Sequence, residues 1–298
     1  TQQLEPWLAE KYACTPDGIT CTLSLRRGVR FSDGTAFTSA DVLFSFQAVY
    51  DERTGGPLGE SVSIGGKPLA ISAPAAHTIV VKFPSVFGPG LRLLDALPIV
   101  PKHKLDAALK AGALRKEWGP TTPPAELAGL GPFVLQEYRA GERLVFARNP
   151  HYWRKGPSGQ ALPLLDRLTI EITPDQNAEL LRLQSGQADL SQGEIRPDDY
   201  ATLKREAAAG KIRLVDAGLA LDADAFWFNL RAGAKVPAFV TRVEFRRAVS
   251  HAVNRRAFAD AVFLGAAEPV QGPVTPANTV WYPPASYAGI ARQAYDMG

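Results

Sequence analysis

Polar and apolar residues follow two different periods within one stretch of the chain, residues 23–46. Leu23 and Leu25 alternate with polar neighbours, which predicts a β-strand with one apolar face. A cluster of turn-forming residues at 32–34 ends this strand. Thr38 and Asp41 have the spacing of a capping box, in which each side chain accepts a hydrogen bond from the other residue's amide. A helix is predicted to follow, because apolar residues recur at helical spacing at positions 42, 46 and 49.

The alternating period returns at three later places and predicts strands there. Residues 78–83 form one such segment, which ends at a proline. Residues 133–146 alternate on both sides of the turn Ala140-Gly141, and this pattern predicts a β-hairpin. Residues 168–172 predict a further strand. Between these elements, the apolar run at 91–97 predicts a short buried helix.

Helical patterns dominate the second half of the chain. Residues 175–185 predict a helix that Gly186 closes, and with the segments at 168–172 and 188–190 they suggest an α/β layer. A pair of helices is predicted further on, the second capped by Asn254 and ending at Gly265. The first helix of the pair is expected to bury Phe245, Val249, Ala252 and Val253. Its opposite, solvated face carries Glu244, Arg247 and His251.

The two cysteines, Cys14 and Cys21, flank a predicted hairpin turn at Asp17-Gly18. With that turn at the centre, the cysteines face each other across the two strands. A disulfide is then within geometric reach if the Cα atoms lie less than about 7 Å apart. The alternative is a pair of buried thiols, and an oxidising compartment would favour the disulfide.

Composition narrows the class of protein. A chain of 298 residues that is 46% hydrophobic can bury a sizeable core and can hold two domains. The 33 basic and 30 acidic residues nearly cancel and are scattered, so a nucleic-acid surface is not expected. No window approaches the roughly 20 apolar residues that span a bilayer. No signal peptide is visible, so an exported protein would have lost that segment before this numbering begins.

The sequence contains no pattern typical of catalysis, and we expect neither an enzyme nor a cofactor. Its four histidines stand in separate segments, and no nucleophile motif accompanies them. His103 has no second ligand at metal spacing in the sequence, so no metal site is predicted. The glycines at 129 and 131 precede neither a Lys-Ser/Thr pair nor a helix, which excludes a phosphate loop.

The whole of residues 23–46 resembles a motif of the family 5 extracellular solute-binding proteins, the peptide, nickel and oligosaccharide receptors of ABC importers. That motif reads roughly L-R-x-G-V-x-F-x-D-G-x-x-F-T-A-x-D-V-x-F-S, and Ser39 departs from its usual alanine. Residues 129–153 resemble a second family motif, G-T-G-P-F-x-L followed by R-N-P-x-Y-W, with Leu130 in place of threonine. Shorter resemblances run through 99–103, 226–229, 245–255 and 267–273.

The resemblance implies an α/β fold of the periplasmic-binding-protein type II kind, with two lobes of mixed sheets and flanking helices. We expect residues 1–225 to form the first lobe, incomplete at its N-terminus, and residues 226–298 to begin a truncated second lobe. Family members bind a solute by closing two lobes around it. A chain with only one complete lobe is therefore expected to bind its solute weakly. The apolar faces around positions 245, 249 and 262 are expected to promote association between copies of the chain.

The function implied is that of a periplasmic or extracellular receptor, monomeric when complete, that passes its solute to an ABC permease. A lipoprotein anchor is an alternative to free diffusion. Peptide leads among the ligands because it is the commonest in the family, and a nickel chelate, an oligosaccharide or an opine remain open. A sensor with the same fold and, more distantly, a hydrolase are the other classes considered.

Five residues are predicted to contact the solute. In the family, the segment matching 226–229 is a strand that passes along the cleft between the lobes. An aromatic ring there can stack on a ligand, and an amide can bind it at two points. In an alternating strand, Phe226 and Trp227 would face opposite ways, so only one is expected to line the cleft. The predicted ligand residues are Phe226, Trp227, Asn229, Gln271 and Trp281.

Overall fold

The computed structural model of the protein describes residues 4–191, 195–215, 218–231, 233, 235–264, 267–270, 272–282 and 296. Contacts divide the chain into two compact units, Thr1–Pro174 and Asp175–Gly298. The lobe boundary implied by the family resemblance lies further along, at 225/226, and stays a prediction. No helix in the described part of the chain is long and apolar enough to cross a bilayer.

Unit 1 is built on a four-stranded antiparallel sheet with the order β1-β2-β6-β5. Its strands are Ala9–Cys14 (β1), Thr20–Leu25 (β2), Ala70–Ala75 (β5) and Thr78–Lys82 (β6). The predicted alternation is confirmed, because Leu23 pairs with Ile79 and Cys21 with Val81 on the face that points to the core. A short hairpin of two-residue strands, Ser63–Ile64 (β3) and Lys67–Pro68 (β4), precedes β5.

Helix α1 (Ser39–Tyr50) packs on this sheet and forms the predicted capping box. The amide of Ala40 donates to the Thr38 hydroxyl at 3.3 Å, and the amide of Thr38 donates to the Asp41 carboxylate at 2.9 Å. Two further helices, Leu58–Ser61 (α2) and Lys102–Lys110 (α3), flank α1. The helix predicted at 91–97 is instead a 3-10 helix over Gly90–Ala96, and only Leu97 at its end is a buried leucine.

A second, three-stranded antiparallel sheet completes unit 1, with the order β7-β8-β9. Its strands are Phe133–Arg139 (β7), Arg143–Arg148 (β8) and Arg167–Glu171 (β9). The β7–β8 pair is the predicted hairpin, and Gly141 occupies the left-handed region at φ +74° within its turn.

The described residues of unit 2 include four α-helices: Gln176–Gln184 (α4), Pro197–Ala208 (α5), Val243–Ala252 (α6) and Arg255–Val262 (α7). The predicted Asn254 cap is confirmed, because its side chain accepts from the amide of Ala257 at 3.0 Å. Asp175 caps α4 in the same way, since it accepts from the amide of Ala178 at 2.9 Å. Helix α7 ends at Val262, and the predicted end at Gly265 lies outside the described residues.

Four predictions for the second half were wrong. Residues 188–190 and 226–229 contain no strand, because a strand exists only where a neighbouring segment pairs with it and no ladder in the described residues includes them. The predicted stripe on α6 is not buried: Phe245, Val249 and Val253 are half-buried and Ala252 is exposed. His251, assigned to the solvated face, is also half-buried.

Cys14 and Cys21 are paired residues of the β1–β2 hairpin, and the structure joins them by a disulfide with a Cα–Cα distance of 4.0 Å. The turn between them has Gly18 at φ +68°, where glycine is strongly favoured. Asp17 caps this turn by accepting hydrogen bonds from Thr15 and Ile19, and these bonds lower the pKa of its carboxyl.

We expect protein from an oxidising compartment to contain no free thiol under denaturing, non-reducing conditions. Replacing both cysteines by serine should lower the free energy of unfolding by about 2–3 kcal/mol, because the bond closes a short loop in the unfolded chain. Thiol labelling with mass detection measures the first quantity, and urea unfolding the second. Two reactive thiols per chain would contradict the expectation.

Candidate functional site

The two stretches that resemble family motifs meet in unit 1. The amide of Ser32, in the first motif, donates to the carbonyl of Gly129 at 2.9 Å, and the Gly129 amide donates to the Ser32 hydroxyl at 3.2 Å. Within the second motif, the buried Asn149 side chain donates to the carbonyl of Gly131 at 2.8 Å and so ties the end of β8 to the start of β7. The motifs therefore form one joint between the two sheets of unit 1.

Aromatic rings and guanidinium groups stack beside this joint. The Arg26 guanidinium lies 4.6 Å from the centre of the Trp153 ring, and Arg154 lies 4.1 Å from the centre of Trp7. The two tryptophan rings meet edge to face at 5.7 Å. Arg26 also donates to the backbone carbonyl of Trp7 at 3.1 Å and forms an ion pair with Glu10. We call Trp7, Arg26, Trp153 and Arg154 the Arg–Trp stack.

Two polar side chains of α1 hold the segment that leads into α3. The Asp41 carboxylate accepts from the amide of Lys102 at 3.1 Å, and the Ser45 hydroxyl accepts from the amide of Val100 at 3.0 Å. Ser45 in turn donates to the Asp41 carbonyl at 2.8 Å. Both side chains are buried. The aspartate and serine of the first motif thus satisfy backbone groups that would otherwise be buried without a partner.

Asp33 and His103 form a contact that the sequence did not predict. The Asp33 Oδ2 lies 2.7 Å from the His103 Nε2, although 70 positions separate the residues. Burial alone would raise the pKa of the Asp33 carboxyl, but hydrogen bonds from His103 and Thr35 outweigh burial and hold this pKa below its usual value. The sequence holds no local signal for the pair, because α3 and the 32–34 turn meet only in the folded chain.

A cleft of about 1160 Å³ opens beside the Arg–Trp stack. Its walls are the segment 4–12, the inner face of β2, the 3-10 helix at 90–96 and residues Tyr152 and Trp153. Apolar residues line most of it, and Lys11, Arg92 and Asp95 lie among its charged residues. An arrangement of this kind can enclose apolar groups. Across the ranges that the structure describes, no three His, Cys, Asp or Glu side chains converge as a metal site would require.

The predicted ligand residues lie elsewhere, in unit 2. The side chains of Phe226, Trp227 and Trp281 are 78%, 86% and 66% exposed, so none of the three is a core residue. Asn229 is also exposed, and its side-chain oxygen accepts from the amide of Arg231 at 3.2 Å. Gln271 lies outside the described residues.

The segment before Phe226 is joined to the loop that leads towards Trp281. The Thr275 hydroxyl is buried and donates to the carbonyl of Ala220 at 2.6 Å. Asp222 and Val274 form an isolated antiparallel bridge. Within the 226–229 segment, Phe228 packs edge to face on Phe245 of α6, with the ring centres 6.2 Å apart. Phe228 is therefore the anchor of the 226–229 segment, which the sequence did not identify.

Comparison with known proteins gives a family match over almost the whole chain. The model of the bacterial extracellular solute-binding proteins, family 5 Middle, matches residues 3–297. A probable ABC transporter-binding protein of Deinococcus radiodurans is 30% identical over 95% of this chain and 49% of its own length. The dipeptide-binding protein of Escherichia coli is 27% identical over 94% of this chain and 51% of its own length. The chain thus spans about half the length of these relatives.

Solved structures show the same fold. The binding protein DppA of Helicobacter pylori, in complex with the peptide STSA, superposes with a TM-score of 0.70 at 25% identity and covers all of this chain with 56% of its own. NikZ of Campylobacter jejuni, in complex with Ni(L-His), gives a TM-score of 0.67 at 19% identity, over 91% of this chain and 49% of its own.

Proposed function

Because the chain belongs to the bacterial extracellular solute-binding proteins of family 5, we propose that the protein is the solute receptor of an ABC importer and that its solute is a peptide. The family match over residues 3–297 carries this proposal. It also confirms the family resemblance of the two motifs, and the solved structures confirm the type II-like α/β fold. The relatives compared are solute-binding proteins rather than enzymes.

Peptide is the proposed ligand because the named relatives include a dipeptide-binding protein. The similar structures also include one in complex with the peptide STSA. A metal chelate is the second candidate, supported by the fold shared with a protein that binds Ni(L-His). Proteins of this family are periplasmic or extracellular. Delivery to a membrane permease, a monomeric state and a lipoprotein anchor are further parts of the proposal.

The proposed contacts to the solute come from the exposed side chains of the 226–229 segment and of the loop around 271–281. Exposed aromatic rings offer large flat surfaces for stacking, and a peptide backbone offers donors and acceptors to Asn229 and Gln271. Phe228 packs on Phe245 of α6 and so holds the segment against that helix. A defined anchor of this kind restricts where Trp227 can lie and reduces the entropy lost when it orders on a ligand.

A thermal-shift screen of the full-length protein with peptides of two to five residues tests the proposal. The constituent free amino acids and Ni(L-His) are its parallel arms. A peptide receptor should be stabilised by some peptides without consuming them, and not by the amino acids. Stabilisation by Ni(L-His) alone would replace peptide by a metal chelate. Turnover of the peptide would contradict a receptor function.

Trp227→Ala is expected to weaken solute binding about fivefold or more, because a stacked aromatic ring contributes roughly 1 kcal/mol beyond simple burial. Since the ring is 86% exposed, the variant should unfold at the same urea concentration as the wild type. Isothermal titration measures the affinity. Tyr138→Ala, which removes an exposed ring of unit 1 outside the cleft, is the matched control and should bind normally. Unchanged affinity in Trp227→Ala would remove this residue from the site.

A further inference from the structure

Hydrogen bonds between its own backbone groups hold the turn at 30–36. The amide of Phe31 donates to the carbonyl of Thr35 at 2.8 Å, and the amide of Gly34 donates back to the carbonyl of Phe31 at 2.9 Å. Arg30 and Ala36 close the turn as an isolated bridge. These contacts hold the backbone of the turn on both sides of residues 32–34.

His103 holds one side of this turn. Its ring packs edge to face on the buried Phe31 ring at 5.5 Å, and its Nε2 contacts the Asp33 carboxylate. The carboxylate is ionised at neutral pH because its pKa is low, and it can only accept, so the Nε2 atom is the donor. The second carboxylate oxygen of Asp33 accepts from the amide of Thr35 at 3.0 Å.

The other side of the turn holds the start of the three-stranded sheet. Ser32 and Gly129 exchange two hydrogen bonds, and Gly129 lies just before β7. Gly34, at φ +86°, lies close to His151, the residue that follows Pro150 after β8. The 32–34 turn thus lies between α3 on one side and both ends of the β7–β8 hairpin on the other.

We propose that His103 is a positioning residue: through Asp33 it fixes the 32–34 turn, and through Ser32 it holds the β7–β8 hairpin against the four-stranded sheet. The inference goes beyond the receptor function and does not rest on it. It assigns a role to a histidine that the proposed ligand contacts do not include.

The charged groups around the pair set how it responds to pH. Lys104, on α3, lies 4.0 Å from the Asp33 carboxylate, and the Arg30 guanidinium donates to the Gly34 carbonyl at 2.8 Å. His151 faces the turn from the hairpin side. The pKa of Asp33 is lower in the folded protein than in the unfolded chain. Its contribution to stability is therefore complete above the usual carboxyl pKa and is lost as pH falls through the lowered value.

Hydrogen exchange at the Gly129 amide tests the inference directly, because that amide donates to Ser32. His103→Phe keeps a ring against Phe31 but removes the donor, and at neutral pH it should speed exchange at Gly129 about fivefold. Asp33→Asn should act in the same direction. His103→Gln, which retains a donor, should recover part of the protection. In acid, where Asp33 is protonated, wild type and His103→Phe should converge.

Asp106→Asn is the matched control. It removes an ion pair of the same helix, Asp106 with Lys110 at 2.5 Å, at the end away from the turn. Gly129 exchange should not change in this variant. The inference is overturned if His103→Phe and Asp33→Asn leave Gly129 exchange at the wild-type rate. It is also overturned if Asp106→Asn speeds exchange as much as they do, since that would show general loosening of α3.

Discussion

Asp41→Ala is expected to lower the free energy of unfolding by about 2–4 kcal/mol. The Asp41 carboxylate is 5% exposed and accepts hydrogen bonds from two backbone amides, those of Thr38 and Lys102. Alanine would leave both amides without a partner, one at the start of α1 and one at the start of α3. An orphaned buried donor costs about 1–3 kcal/mol, and the capping interaction is lost as well.

Urea unfolding followed by circular dichroism measures this effect. Asp41→Asn keeps one acceptor oxygen and should cost about half as much as Asp41→Ala. Asp95→Ala, an exposed carboxyl on the 3-10 helix, is the control and should change stability by less than about 0.5 kcal/mol. If Asp41→Ala behaved like Asp95→Ala, the segment 99–102 would be held by packing alone.

Trp153→Ala should lower the free energy of unfolding by about 3 kcal/mol. The Trp153 ring packs against the main core, meets Trp7 edge to face and lies under the Arg26 guanidinium. Its removal would therefore cost apolar burial, an aromatic pair and a cation–π contact together. Because Trp153 ends the second motif and Arg26 belongs to the first, this loss should weaken the joint between the two sheets of unit 1.

The control for this variant is Trp227→Ala, which deletes the same side chain from an exposed position in unit 2. It should leave the unfolding free energy within about 0.5 kcal/mol of the wild type. A double-mutant cycle with Arg26→Gln should give a coupling of about 0.5–1 kcal/mol between Arg26 and Trp153. Zero coupling would show that the stacked geometry contributes nothing beyond the separate contacts of the two residues.

The elements that the sequence predicted well are those that local chemistry decides. The Thr38–Asp41 capping box, the Asp17-Gly18 turn and the Asn254 cap each depend on residues a few positions apart. Their hydrogen bonds form whenever the local backbone adopts the matching angles, so a single sequence is enough to predict them.

The contacts that the sequence did not predict join residues far apart in the chain. Asp41 meets Lys102 across 61 positions and Asp33 meets His103 across 70. Such pairs depend on how α3 packs in the folded chain, and the local pattern of apolar residues does not predict that packing. The absent strand at 226–229 has the same cause. A strand needs a neighbouring strand to pair with, and the sequence pattern of 226–229 does not show whether such a neighbour is present.

The contacts to the solute stay a prediction. The family resemblance drew attention to Phe226 and Trp227, of which only one is expected to line the cleft, and the structure exposes both rings. The resemblance did not distinguish Phe228, whose contact with Phe245 anchors the segment. Aromatic residues at neighbouring positions look alike in sequence. Which of them packs inward depends on the position of α6.

The most direct test of the receptor function is identification of the solute that the protein carries from its own cell. The protein should be purified from its native host without denaturant, and its bound small molecules released and identified by mass spectrometry. We expect a peptide or a set of short peptides at close to one per protein, and far less in Trp227→Ala. A chelated metal or a sugar at the same occupancy, with no peptide, would contradict it.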